Sequence, residues 1–439
     1  MEKKRDQFQS KKGFIIACIG SAVGMGNIWL FPYRVGSLGG AAFLIPYFLF
    51  VILVGYTGIV EEMSFGRAMK RGPLGAFRKT FERKNSKSKA KNLGWIPVVG
   101  SFCLAVGYTV VVAWILRFLF GSFTGMMFKN PETGAYFSEI AGNFGAIFWH
   151  ILAIIITFLI MVMGISKGIE KVNKLLIPVF YALFVILAIR VFFLDGSNKG
   201  YEYLLKPDFS KLLEVDTWVF ALGQAFFSLS LAGSGTVVYG SYLSDDENIP
   251  QSAKYIAIFD VLAALLAAFV ILPAVFAYNI EPSAGPPLMF ITMPEVFRNM
   301  PLGLVFSTIF FLAVTFAGLT SLINLYETPV EALSDKFDIS RKKSLIINLT
   351  IALIIGAFIE EANRLGMWMD IISIYAIPLG ALLSGIMFLW ICEKKFVKKE
   401  VSKGYGKIIS DKFYNWMKYG FVLITAIVII INIIYGGIG

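Results

Sequence analysis

The chain has 439 residues, 57% of them hydrophobic and only 16% charged, with a mean hydropathy of +0.72. No soluble domain of this size needs so much apolar surface, so the class is an all-α polytopic membrane protein whose surroundings are a lipid bilayer. The net charge of +11 invites a nucleic-acid partner, but the basic residues sit in short segments between apolar runs, and that distribution excludes one.

Eleven charge-poor runs are long enough, or nearly so, to cross a bilayer. In chain order the predicted spans are 13–36, 40–66, 95–125, 143–165, 172–194, 217–243, 253–278, 301–334, 343–361, 368–393 and 415–436. The fifth and ninth are the weakest, one holding Arg190 and the other having only a short apolar run. With the N-terminus placed in the cytoplasm, 31 of the 40 lysines and arginines fall in inside segments, ten of them between residues 67 and 91 and eight between 394 and 418. This is the positive-inside bias, and eleven spans then put the C-terminus outside. The run Asp245, Asp246, Glu247 is an acidic exception. The first apolar run lacks a cleavage site and leads into further spans, so it reads as a helix and not as a signal peptide.

Two of the spans are interrupted. Residues 20–27 (GSAVGMGN) in the first and 228–235 (SLSLAGSG) in the sixth concentrate glycine, alanine and serine. Each glycine costs about 1 kcal/mol of helix propensity relative to alanine. Lipid cannot satisfy freed backbone groups, so breaks at membrane depth stand where protein, ions or a ligand take over. Interrupted segments at corresponding positions of two halves point to a substrate and ion site near the midplane.

Other chemistry is absent from the pattern. Cys18, Cys103 and Cys392 are scattered through apolar helices, which suggests neither disulfides nor a metal site. His150, the only histidine, sits beside Trp149 near a span start and reads as interfacial or structural. With no nucleophile elbow, zinc motif, phosphate loop or dinucleotide fingerprint, the chain is not expected to be an enzyme.

The segment after the first break runs Asn27, Ile28, Trp29, Leu30, Phe31, Pro32, Tyr33 and continues through GGAAFLIPY to Tyr47. With FFSLSL at 226–231, PPLMFITMPEVF at 286–297 and AGLTS at 317–321, it closely resembles the neurotransmitter:sodium symporter family. The likeness runs from Arg5 to about Trp390. The short C-terminus is similar to the family's bacterial eleven-helix amino-acid branch, the bacterial tyrosine transporters above all. The resemblance implies the leucine-transporter fold: two inverted five-helix repeats at 13–194 and 217–393, with spans one and six broken. A tail (1–12), an outer loop (195–216), a basic inner loop (394–414) and a peripheral last helix (415–439) complete it. It also implies a bacterial inner membrane.

In that family, amino-acid transporters hold the ligand carboxylate on exposed amides of the first break and on sodium, whereas monoamine transporters place an Asp there. Gly24 stands at that position, so the resemblance implies an α-amino acid; a half-helix N-terminus, with free N–H groups and positive dipole, suits an anionic head group. Matching positions put the backbone cradle at Ser21, Ala22, Met25 and Gly26, a carboxylate-binding hydroxyl at Tyr108, and ligand contacts at Phe227, Ser228 and Ser230. The side-chain subsite matches Leu104, Phe227, Gly233, Ser321 and Leu325. Gly233 reads two ways. Either the lack of a ring leaves room for an aromatic amino acid, tyrosine favoured, or it only serves unwinding. Asn324 either meets a phenol or faces a neighbouring helix. Import of an aliphatic neutral amino acid is the alternative, and a non-transporting sensor is the rival of a different class.

The first sodium site maps by resemblance to the Ala22 carbonyl, Asn27, Ser228, Asp260 and the ligand's carboxylate. The second maps to the carbonyls of Gly20, Val23 and Ala317 and the hydroxyls of Thr320 and Ser321. Chloride-dependent relatives have Asn and then Ser one turn on, where this chain has Asp260 and Ala264. A buried ionisable residue costs about 2.5–3.5 kcal/mol on insertion scales, and its fixed charge would replace chloride, so no chloride requirement is expected. The other reading bonds Asp260 in an unrelated polar pocket. Tyr47 and Gln224, which match residues near the chloride site, are expected to bond Asp260 or water. Arg5 and Asp335, supported by Tyr242 with Phe8 nearby, match the inner gate; Arg5 also reads as one of the tail's charges. Leu30 replaces the usual outer-gate arginine, which leaves Asp370 with Arg34 as the outer candidates. Glu62 and Glu327 are assigned structural polar contacts.

Overall fold

The computed structural model describes residues 6–85, 88–129, 132–231, 234–279 and 287–436, and these hold helices and no strand. The principal helices are α1 (Lys11–Ala22), α2 (Gly26–Ser37), α3 (Ala41–Met69), α4 (Lys89–Thr124), α5 (Ile147–Met161), α6 (Ile165–Phe192) and α7 (Val215–Ser228). They continue with α8 (Gly235–Ser241), α9 (Ile249–Ala277), α10 (Gly303–Phe337), α11 (Arg341–Ile359), α12 (Ala362–Ile391) and α13 (Asp411–Tyr435). Helix is found at each of the eleven predicted segments. By length and hydropathy, eight of these helices can cross a membrane, and the α1–α2 pair makes a ninth. The apolar α5 has 15 residues, and the second break divides α7 from α8.

Local chemistry sets the helix ends. Ser10 caps α1 by accepting the Gly13 N–H at 3.0 Å, and Asn248 caps α9 by accepting the Gln251 N–H at 3.0 Å, with Pro250 in the first turn where its missing N–H is harmless. α1 stops because Val23 turns extended, at φ −68° and ψ 103°. α2 then leaves at 54° to α1.

α10 is the centre of the molecule, packed against α4, α6 and α1. Its middle, from Ala317 to Ala332, is buried throughout. Outer faces are apolar instead: Ile347, Ile351, Ile354 and Phe358 on α11 and Leu423, Ile430 and Ile434 on α13 are exposed, as helices facing lipid require. His150 is structural: buried on α5, it holds Glu360 at 3.1 Å.

Candidate functional site

The end of α1 leaves carbonyls without helical donors, and no basic side chain lies in its last turn. Ser321 Oγ of α10 sits 3.4 Å from the Gly20 carbonyl, 3.4 Å from that of Ser21 and 3.1 Å from that of Val23. One hydroxyl proton satisfies one of three acceptors. The Thr320 hydroxyl, next to Ser321 in sequence, lies 3.1 Å from the Ala317 carbonyl. This acceptor surplus at the negative end of a helix dipole is chemistry that fits a hard monovalent cation. The structure therefore brings together the oxygens expected for the second sodium site.

On the other side of the break, Asn27 of α2, Ser228 of α7 and Asp260 of α9 form one buried cluster. Asn27 Nδ2 donates to Asp260 Oδ1 at 2.8 Å, to the Asp260 carbonyl at 3.1 Å and to Ser228 Oγ at 3.2 Å. Ser228 Oγ donates to the other Asp260 oxygen at 2.5 Å. Asn27 Oδ1 accepts the Gly24 N–H at 3.1 Å and so ties the cluster to the break itself. The structure thus brings together Asn27, Ser228 and Asp260, three of the residues expected for the first sodium site, with hard oxygens of the kind a cation takes.

Between the two clusters lies a cavity of about 30 Å³. Every residue expected for the substrate lines it except Met25 and Gly233, and Gly24, Asn27 and Asn324 line it too. Met25 contributes through its backbone, its N–H directed at the Tyr108 hydroxyl. Gly233, with Ala232, lies outside the described residues. Phe227 presses its ring on Gly26, where a Cβ would come within 2.8 Å of the ring. A Cβ on Gly24 would meet Ser321 Oγ at 2.7 Å, so a larger residue there has to displace that hydroxyl. Ser230 takes a left-handed backbone, at φ 54°, which lets its hydroxyl reach back to the Ser21 carbonyl at 2.8 Å. The two breaks are thereby joined.

Several expectations need correction. Gln224 does not bond Asp260; its Nε2 donates to the Gly26 carbonyl at 3.1 Å. Tyr47 Oη is buried beside Ser228 and Asp260 and makes no direct bond to Asp260. Asp370 is exposed on α12 and does not pair with Arg34, because Arg34 turns towards α7, where it donates to the Phe220 carbonyl at 2.9 Å and lies 4.9 Å from the ring centroid. Arg5 lies outside the described residues. Asp335 is held by Arg71 at 3.0 Å and Arg78 at 2.9 Å, neither of which the motif matching singled out. Tyr242 donates to Glu327 at 2.7 Å, Arg341 clasps both oxygens of Glu327 at 2.7 and 2.6 Å, and Phe8 packs edge-on against Tyr239 and Tyr242. In the sequence Arg341 is one more basic residue of an inside segment; only the fold places it on Glu327. Glu62 accepts from Thr236, a structural contact as expected.

The model of the Sodium:neurotransmitter symporter family matches residues 5–139 and 135–438. The chain belongs to the sodium:neurotransmitter symporter family. Members are transporters and not enzymes. Among the relatives of this symporter is an uncharacterized sodium-dependent transporter, YhdH, of Bacillus subtilis (strain 168), 34% identical over 98% of this chain and 97% of its own length. A further uncharacterized sodium-dependent transporter, from Haemophilus influenzae, is 30% identical over 98% of this chain and 99% of its own. The crystal structure of MhsT in complex with L-phenylalanine shares the fold at a TM-score of 0.86 and 32% identity, covering 98% of this chain and 100% of that one.

Proposed function

We propose that this symporter imports an α-amino acid with an aromatic or large hydrophobic side chain, tyrosine favoured, by alternating access, with two sodium ions and without chloride. The observation that carries the reading is the cavity at the first break: Gly26, Tyr108, Asn27 and Ser228 line it together, and Asn27 and Ser228 both bond Asp260. A carboxylate there gains a donor, a hydroxyl and the positive end of α2, and completes the coordination of a cation. Sodium and substrate then each supply part of the other's site, which is coupling in thermodynamic form.

The phenylalanine bound by MhsT supports an aromatic ligand. Asn324 lines the cavity while its amide packs against Gly235 and Tyr239 of α8, so the preference for tyrosine within that class rests on the family resemblance. Buried Asp260 with apolar Ala264 one turn on supports chloride independence. An amino acid needs far more room than about 30 Å³, so the cavity has to widen for loading. We place the repeats at 13–194 and 217–393, the N-terminus in the cytoplasm and the protein in a bacterial inner membrane, on the charge bias and the family resemblance. Counterflow in liposomes with labelled tyrosine, leucine and tryptophan, with and without sodium, tests the reading. Sodium-dependent exchange led by tyrosine supports it, and sodium-independent exchange overturns it.

A further inference from the structure

Away from the central cavity, a groove of about 450 Å³ runs along the outer surface between α3 and α9. Its walls are apolar, with Val51 and Ile52 on one side and Ile258, Val261 and Leu262 on the other, and one charged residue, Lys254, stands at its end. Tyr56 is shared with a second hollow of about 330 Å³, under the segment that joins residue 402 to α13. That hollow holds Lys407 and Ser410 and, like the groove, has no carboxylate in its lining. Neither Lys254 nor Lys407 makes an ion pair among the described residues. The roof is built: Ser402 Oγ accepts the Ile409 N–H at 2.9 Å, and Phe413 packs on Tyr56 with ring centroids 6.1 Å apart.

Shape, polarity and depth agree on one occupant. From Lys254 to Leu262 the groove follows α9 for eight residues, about 12 Å, close to the roughly 15 Å of hydrocarbon in one leaflet. Its polar end lies on the basic face of the molecule, near Lys70 and Lys403, which share Asp245 at 3.1 and 3.0 Å. Lysines at such a boundary extend their ammonium groups to the head-group level while their stems cover apolar surface. We propose that this double hollow binds an anionic phospholipid, its acyl chain between α3 and α9 and its phosphate between Lys254 and Lys407. The site is independent of the substrate reading.

Native mass spectrometry of the purified full chain tests it, with phosphatidylglycerol and phosphatidylcholine added in equal amounts. The wild type should retain phosphatidylglycerol in preference. Lys254→Gln with Lys407→Gln should weaken that retention about tenfold or more, because both ammonium groups that attract the phosphate are removed together. Ile258→Trp, which fills the groove, should lower retention of both lipids. Lys342→Gln with Lys343→Gln, elsewhere on the basic face, should change nothing. The proposal is overturned if the Lys254/Lys407 variant holds phosphatidylglycerol as the wild type does, if the Lys342/Lys343 variant loses as much, or if the groove proves to be covered by a second copy as a dimer in lipid-free detergent.

Discussion

Asn27 and Asp260 lie 233 residues apart in the chain and meet at 2.8 Å in the core. Asn27 also holds the Gly24 amide, so one side chain links the broken first span to the acidic centre of α9. Any ion or ligand that pulls on this cluster acts directly on the break.

Asn27→Ala and Ser228→Ala each remove an oxygen that the proposed mechanism assigns to both cation and substrate. Both variants should lose about 10- to 100-fold in substrate affinity, the effect of a hydrogen bond to a charged group, and apparent sodium affinity should fall with it. Substrate binding titrated across sodium concentrations reads both. Wild-type binding with and without sodium in either variant would mean that the ion and the ligand do not share this cluster.

Thr320→Ala should act differently, since its hydroxyl bonds the Ala317 carbonyl on α10 and not the cluster. A shallower sodium dependence is expected, with substrate affinity recovered under conditions that favour the outward-open state. The same titration, repeated under those conditions, separates it from Asn27→Ala and Ser228→Ala, which should resist recovery.

Replacing chloride by gluconate should leave uptake intact. On the proposed reading the buried Asp260 carboxylate supplies the negative charge, and Ala264 presents no hydroxyl to an anion. Uptake that collapses in gluconate would show that Asp260 does not stand in for the anion.

Asn324→Leu removes an amide that lines the cavity and packs against Gly235 of α8. If that amide meets a phenol, tyrosine affinity should drop about tenfold, the value of one hydrogen bond, while phenylalanine affinity stays within about twofold. Competition binding with the two amino acids measures the ratio, and an equal change for both would remove the phenol contact.

Arg341→Gln strands Glu327, which is fully buried and held by both guanidinium nitrogens. Stability should fall by about 3 kcal/mol or more, because a buried charge loses its partner. Adding Glu327→Gln should recover much of it. Thermal unfolding in detergent follows the single and double variants, and a double variant no more stable than Arg341→Gln would argue against a stranded charge.

Much of this was legible in the chain. Glycine-rich runs at 20–27 and 228–235 marked the breaks, because such composition inside an apolar span is costly without a compensating site. The family motifs then led to the cavity lining. What the motifs missed were partners made by long-range packing. Arg71 and Arg78 looked like members of a basic loop, yet they hold Asp335. Gln224 was expected at Asp260 or water and instead bonds the Gly26 carbonyl in the first turn of α2, a contact set by how α7 packs on α2.

The sequence by itself determined the membrane class, the places of the helices and breaks, and the oxygen-bearing residues around them. Those follow from hydropathy, backbone propensity and residue chemistry, which are local properties. Which polar atoms meet was decided by tertiary structure alone: Ser321 over the carbonyls of α1, Asn27 between Gly24 and Asp260, Arg341 on Glu327, and Arg34 turned from Asp370 to Phe220. A buried polar group must find a partner, but its partner is chosen by how helices far apart in the chain pack together.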